Sequence, residues 1–225
     1  MDVRRWCPIA ALMMFIPMAL ASGKPMLSLA AAPEPAAGML AGPTAWNGLL
    51  QRLRHDAPLY ALCESDPGMC PTAGLAAWSG FIARTRSRPE TEQIEAVQTF
   101  VNRQPYRPDL ETFGVSDHWA TPLEFFAAGG DCEDYAIAKY VTLRRLGVAA
   151  DRLRIAVLED RRRHEPHAVL TVFTAGGTLV LDNLAPQPVP VAAVPHYAPY
   201  YAVNELHRWD YTSVTSQAHA SAAAP

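Results

Sequence analysis

The apolar residues of this chain change their spacing once, at Gly147. Before it they recur at helical intervals: Leu49, Leu50 and Leu53 share one face, and Ile94, Val97, Phe100 and Val101 form a later stripe. After it come three short extended runs, Leu153 to Leu158, His167 to Phe173 and Thr178 to Asp182, with Gly176-Gly177 in the turn between the last two. Helices in one half followed by strands joined through short turns predict an α+β fold, a helical layer packed on an antiparallel sheet. Beyond Asp182 the proline-rich stretch to Pro199 reads as a strap over the surface.

The ends of the chain differ from its middle. Arg4 and Arg5 precede the apolar run Ile9 to Leu20, and Ala19-Leu20-Ala21 offers the small residues that a signal peptidase reads, so residues 1–21 are expected to be a secretory signal. The apolar run is shorter than the roughly 20 residues a membrane-spanning helix needs, which argues against stable insertion once the signal is cut. Residues 22–44, rich in Ala, Pro and Gly, are expected as a flexible linker, 45–212 as one folded domain and 213–225 as a frayed tail. Export implies a periplasmic, oxidising setting.

Charge removes other classes. With 19 Lys and Arg against 22 Asp and Glu, the net charge of −3 gives no broad basic field for nucleic acid. Half of the residues are apolar, which is not a disordered composition, and no phosphate-binding glycine loop, heptad run or repeat is present. Function must therefore lie in a local constellation of side chains.

Of the four cysteines, Cys7 is expected to leave with the signal. Cys63 and Cys70 bracket the turn-rich segment Glu64 to Met69 and are expected to close a small disulfide loop. That leaves Cys132 as the odd cysteine. Thr121-Pro122-Leu123-Glu124 opens a short helix with a capping residue, a proline and a reciprocal glutamate, and Gly129-Gly130 stops it. Asp131 then caps a second helix that carries Glu133 and Asp134 in its first turn, so Cys132 stands at a helix N-terminus. There the free N–H groups and the helix dipole favour a thiolate and can receive an oxyanion.

His167 opens the second extended run, and Asp182 ends the third. If the turn pairs Thr174 with Gly177, Asp182 is the diagonal same-face neighbour of His167, within side-chain reach. A cysteine, histidine and aspartate on a helix start and two adjacent strands are the parts of a thiol nucleophile with its base and orienter. His164, in the polar turn Arg161-Arg162-Arg163-His164-Glu165, is the rival base. Trp119 is a candidate to line the cleft or to donate to an oxyanion, with core packing as the alternative.

These residues carry a resemblance. Trp119 to Glu124, Gly129-Gly130-Asp131-Cys132-Glu133-Asp134-Tyr135-Ala136-Ile137-Ala138-Lys139-Tyr140, His167-Ala168-Val169-Leu170 and Leu181-Asp182-Asn183-Leu184 resemble the bacterial transglutaminase-like cysteine peptidases. The resemblance spans roughly Gln93 to Asp210. It implies a papain- or transglutaminase-like fold, with Cys132 as nucleophile, His167 as base and Asp182 as orienter. It implies calcium bound by Asp131 and Glu133, for which there is a separate reason: two carboxylates beside a thiol oppose its ionisation unless a cation neutralises them. It also implies a periplasmic endopeptidase that clips a large surface adhesin at a small-residue site and so releases biofilm cells, held back by an inner-membrane receptor that senses a cyclic dinucleotide. Two other functions fit the same residues, acyl transfer to an amine and a catalytically silent binding domain; intact Cys132, His167 and Asp182 argue against the second.

Overall fold

The structure is a computed structural model that describes Leu29 and residues 44–211. The expected signal, the expected linker apart from Leu29 and Thr44, and the expected tail lie outside the described residues. The helical layer comprises α1 (Thr44–Ser65), α2 (Ala73–Thr85), α3 (Glu90–Val101), the single turn α4 (Asp109–Thr112), α5 (Pro122–Ala128) and α6 (Cys132–Leu146). Six strands follow: β1 (Leu153–Asp160), β2 (Glu165–Thr174), β3 (Gly177–Leu181), β4 (Val189–Pro190), β5 (Tyr197–Val203) and β6 (Arg208–Asp210). They form one antiparallel sheet in the order β4-β3-β2-β1-β5-β6. The α+β class is the one the spacing predicts.

The helical stripes supply the core. Leu49, Ile94, Val97 and Val101 are buried, and Phe100 stacks on Phe81 with centroids 4.1 Å apart. In β1, Ile155 and Val157 face the helices, while Ala156 and Leu158 join a second cluster with Val169, Val180 and Trp209 on the far face. A strand covered on both faces is apolar at consecutive positions. Fully burying each large aliphatic side chain contributes about 1.5–3 kcal/mol relative to exposure.

The expected strap is corrected in two parts, the first being Val189–Pro190, which pair with β3 as β4. Residues 197–203 form β5, paired to β1 along its length. Pro199 lacks the N–H of a regular ladder residue, and the register shifts beside it: Val157 pairs with Tyr201 and Leu158 with Pro199, so Tyr200 is the extra residue of a bulge. Proline thus marks an irregularity in a strand, which a local pattern cannot tell from a loop. Among the described residues no helix is long and apolar enough to cross a membrane.

Candidate functional site

The site is built from the start of α6 outward. Thr121 and Glu124 close a capping box on α5: the Thr121 N–H donates to Glu124 Oε2 at 2.7 Å, and the Glu124 N–H to Thr121 Oγ1 at 3.5 Å. Gly129, at φ 85°, ends that helix against the Pro105 carbonyl, where an added Cβ would lie 2.3 Å from the oxygen. Gly130 is bridged to Tyr106 and accepts the Arg107 N–H at 2.9 Å. The chain is therefore pinned on both sides of the turn that delivers Cys132 to the first position of α6.

Cys132 is buried and shares a small pocket with His167, Tyr106, Asp160, Arg163 and Asn183. The hairpin joining β2 and β3 pairs Thr174 with Gly177 and continues to Leu170 opposite Leu181, so Asp182 follows the last paired residue. His167 Nε2 lies 3.0 Å from Asp182 Oδ1. Burial raises the Asp182 pKa, but donation from His167, from the Tyr197 hydroxyl and from the Leu184 N–H outweighs it and holds the carboxyl well below the usual range. A charged acceptor on Nε2 fixes that nitrogen as the protonated one and leaves Nδ1 with the basic lone pair. From α3, Gln98 Nε2 donates to the Asp182 and Ala185 carbonyls at 2.7 and 2.6 Å, and Asn102 Nδ2 to the same two oxygens at 3.1 and 2.9 Å.

Beside the cysteine lies a group of acids. Asp109, Asp131, Glu133 and Asp134 are all 0 % exposed. Oxygens of Asp109, Asp131 and Asp134 lie within 4.8 Å of one another, as do those of Asp109, Asp117 and Glu133, and those of Asp131 and Glu133 with the Cys132 sulfur. Burial pushes the Asp109 carboxyl up to about 7, with the Asp131 charge adding to it, and burial raises Asp131, Glu133 and Asp134 as well. Both Asp131 oxygens and Asp109 Oδ1 receive no hydrogen bond. Buried carboxylates so arranged suit a hard cation.

Asp131 and Glu133 thus sit where a shared ligand is geometrically feasible, and Asp109 and Asp117 join them. The sequence offered no signal for the latter two, since an acid in a loop reads the same solvated or buried. Trp119 is placed otherwise than as a cleft or oxyanion residue: it is buried against Trp46, and its indole N–H donates to Asp117 Oδ1 at 3.1 Å. His164 lies in the turn at φ 56°, exposed and outside the Cys132 pocket, whereas Arg163 of that turn lines the pocket and pairs with Glu165. Lys139, seven residues along α6, is fully buried; its Nζ meets no acceptor, and burial pushes its pKa down to about 7 against the pull of Asp182.

Cys63 and Cys70 are joined by a disulfide, with Cα atoms 4.9 Å apart. The count that leaves Cys132 over is corrected: among the described residues no cysteine is free. The chemistry of Cys132 as a thiol belongs to the reduced form.

Residues 55–216 match the family model of the bacterial transglutaminase-like cysteine proteinases, BTLCP. Solved structures of Legionella pneumophila LapG are similar to this chain. The calcium-bound form is 34% identical over 62% of this chain and 79% of its own, with a TM-score of 0.57. The EGTA-treated form is 31% identical over 70% and 86%, with a TM-score of 0.59. A further LapG structure is 31% identical over 74% and 93%, with a TM-score of 0.59. No curated protein matches significantly by sequence.

Proposed function

This chain belongs to the bacterial transglutaminase-like cysteine proteinases, and from that premise we propose that it is a calcium-dependent periplasmic endopeptidase cutting a large surface adhesin at a small-residue site. The observation that carries the reading is the 3.0 Å contact of His167 Nε2 with Asp182, beside a pocket that His167 shares with Cys132.

With Cys132 reduced, Nδ1 of His167 takes the thiol proton and the thiolate attacks the scissile carbonyl. Asp182 stabilises the imidazolium that forms. The Cys132 N–H, at the start of α6, faces the developing oxyanion. The imidazolium returns its proton to the leaving amine, and the acyl group remains as a thioester. Water, deprotonated by the same nitrogen, then releases the acid and restores the thiol. Asp131 and Glu133, with Asp109 and Asp117, would hold calcium; a bound ion would neutralise the charge that otherwise opposes the thiolate. Calcium is further supported by the description of one related LapG structure as calcium-bound. The Cys63–Cys70 disulfide suits an oxidising compartment. Regulation by an inner-membrane receptor for a cyclic dinucleotide rests on the family resemblance.

Residues 22–225, reduced and incubated with exported adhesin fragments from the same cell, test the reading. Cleavage is expected with calcium and is expected to stop with a calcium-selective chelator. Cys132→Ala and His167→Ala should each abolish it, and His164→Ala should leave it nearly intact. Incorporation of an added amine in place of hydrolysis would identify an acyl transferase instead.

A further inference from the structure

The Asp182 carboxylate is 3 % exposed, and its two oxygens are served from different elements. Oδ1 meets His167 Nε2 at 3.0 Å and the Leu184 N–H at 2.9 Å, both from its own hairpin and the loop after it. Oδ2 accepts the Tyr197 hydroxyl at 2.5 Å, from the first residue of β5. With donors on Oδ1 alone, the group can rotate about its Cβ–Cγ bond and carry Oδ1 away from the imidazole. A donor on Oδ2 fixes the plane.

Tyr197 is suited to that task. It is buried, and its ring stands edge-on to His167 at 5.7 Å between centroids. Burial, with the charges of Asp182 and Asp160, pushes its hydroxyl far above the usual tyrosine range, so the proton stays on and the group donates. The other charged or titratable groups around the pair are Lys139, which acts on Asp182 through its field, Arg163, which acts on Tyr197, and His196, whose ring lies 4.6 Å from Tyr197. The Tyr197 hydroxyl is the side-chain donor seen on Oδ2. We infer that Tyr197 is a positioning residue that holds Asp182 in the plane from which it orients His167, an inference that rests on the proposed roles of Cys132, His167 and Asp182.

Four proteins test it: wild type, Tyr197→Phe, Asp182→Asn and the double variant. Phenylalanine keeps the ring beside His167 and removes only the hydroxyl, so the melting temperature of that variant should stay within a few degrees of wild type. The readout is the rate at which iodoacetamide alkylates reduced Cys132 at neutral pH, followed on the Cys132 peptide by mass spectrometry. Tyr197→Phe is expected to slow it about tenfold, the order set by one hydrogen bond to a charged group. In the Asp182→Asn background the same change should cost less than about twofold, because a group that acts through Asp182 has nothing left to act on. A wild-type rate in Tyr197→Phe, or an equal loss in both backgrounds, overturns the inference while leaving the triad standing. A wild-type rate in Asp182→Asn overturns the triad reading and this inference with it.

Discussion

At the start of α6 the carboxylates of Asp131 and Asp134 have opposite roles: Asp134 accepts the N–H groups of Ala120 and Asp131 at 2.6 and 3.2 Å, whereas neither side-chain oxygen of Asp131 receives a hydrogen bond. Both residues are fully buried. One acid is therefore framework. The other is the acid proposed to meet a cation, and the two can be separated by experiment.

Asp131→Ala should weaken calcium binding by at least about tenfold in calorimetry, because it removes an anionic ligand. In chelator its melting temperature should equal or exceed that of wild type, since one of several repelling buried carboxylates is gone. Asp134→Ala should lower stability by about 1–3 kcal/mol with or without calcium, because two buried N–H groups lose their acceptor. An unchanged calcium isotherm in Asp131→Ala would remove that residue from the ligand set.

Gly130→Ala should disturb the same framework from the other side. A Cβ there would lie 2.2 Å from Asp134 Oδ2 and 2.7 Å from its Cβ, so the aspartate must swing away from the Asp131 N–H. The expected loss is about 1–3 kcal/mol in urea denaturation. Combined with Asp134→Ala the loss should be less than additive, since the clash with the carboxylate and the bond it breaks vanish together, while the close approach to the Cβ at position 134 remains.

Gln98→Leu removes the donor that ties the Asp182 and Ala185 carbonyls to α3. Leucine keeps most of the volume, so the expected cost is about 1 kcal/mol. The sharper signature is local: amide exchange at Leu184 and Ala185 should accelerate while exchange within β1 stays slow. Unchanged protection at Leu184 would show that Asn102 alone holds the loop.

Lys139 makes stability depend on alkaline pH in a particular direction. Burial depresses its pKa to about 7, so above that value the folded chain carries it neutral while the unfolded chain keeps it charged up to about 10. The unfolded state then binds more protons, and stability from this group rises between about pH 7 and pH 10; below pH 7 the charge is buried at its full cost. Lys139→Met should flatten that rise and be more stable than wild type at pH 6. Urea midpoints at pH 6, 8 and 9.5 measure both.

The limits of α5 and α6 were legible because their signals are short-range: a capping box at Thr121 and Glu124, a glycine stop at Gly129, and Gly147 at the end of α6 in the left-handed conformation. The hairpin between β2 and β3 was legible for the same reason, as one turn sets the register of every pair above it. β5 was not, because its pairing to β1 spans the β2–β3 hairpin and the strap in sequence, and Pro199 imitates a loop.

By itself, then, the sequence determined the α+β class and the placement of Cys132 at a helix start, with His167 on one strand and Asp182 just past the end of its neighbour, since periodicity, caps and hairpin register act within a few residues. Only the tertiary structure decided that Asp109 and Asp117 join Asp131 and Glu133, that the Trp119 indole N–H goes to Asp117, and that Tyr197 closes on Asp182. The reason is burial. Whether an acid is solvated or shut in with its like, and where a hydroxyl proton points, depends on segments tens of residues away, and the local pattern of amino acids is the same in either case.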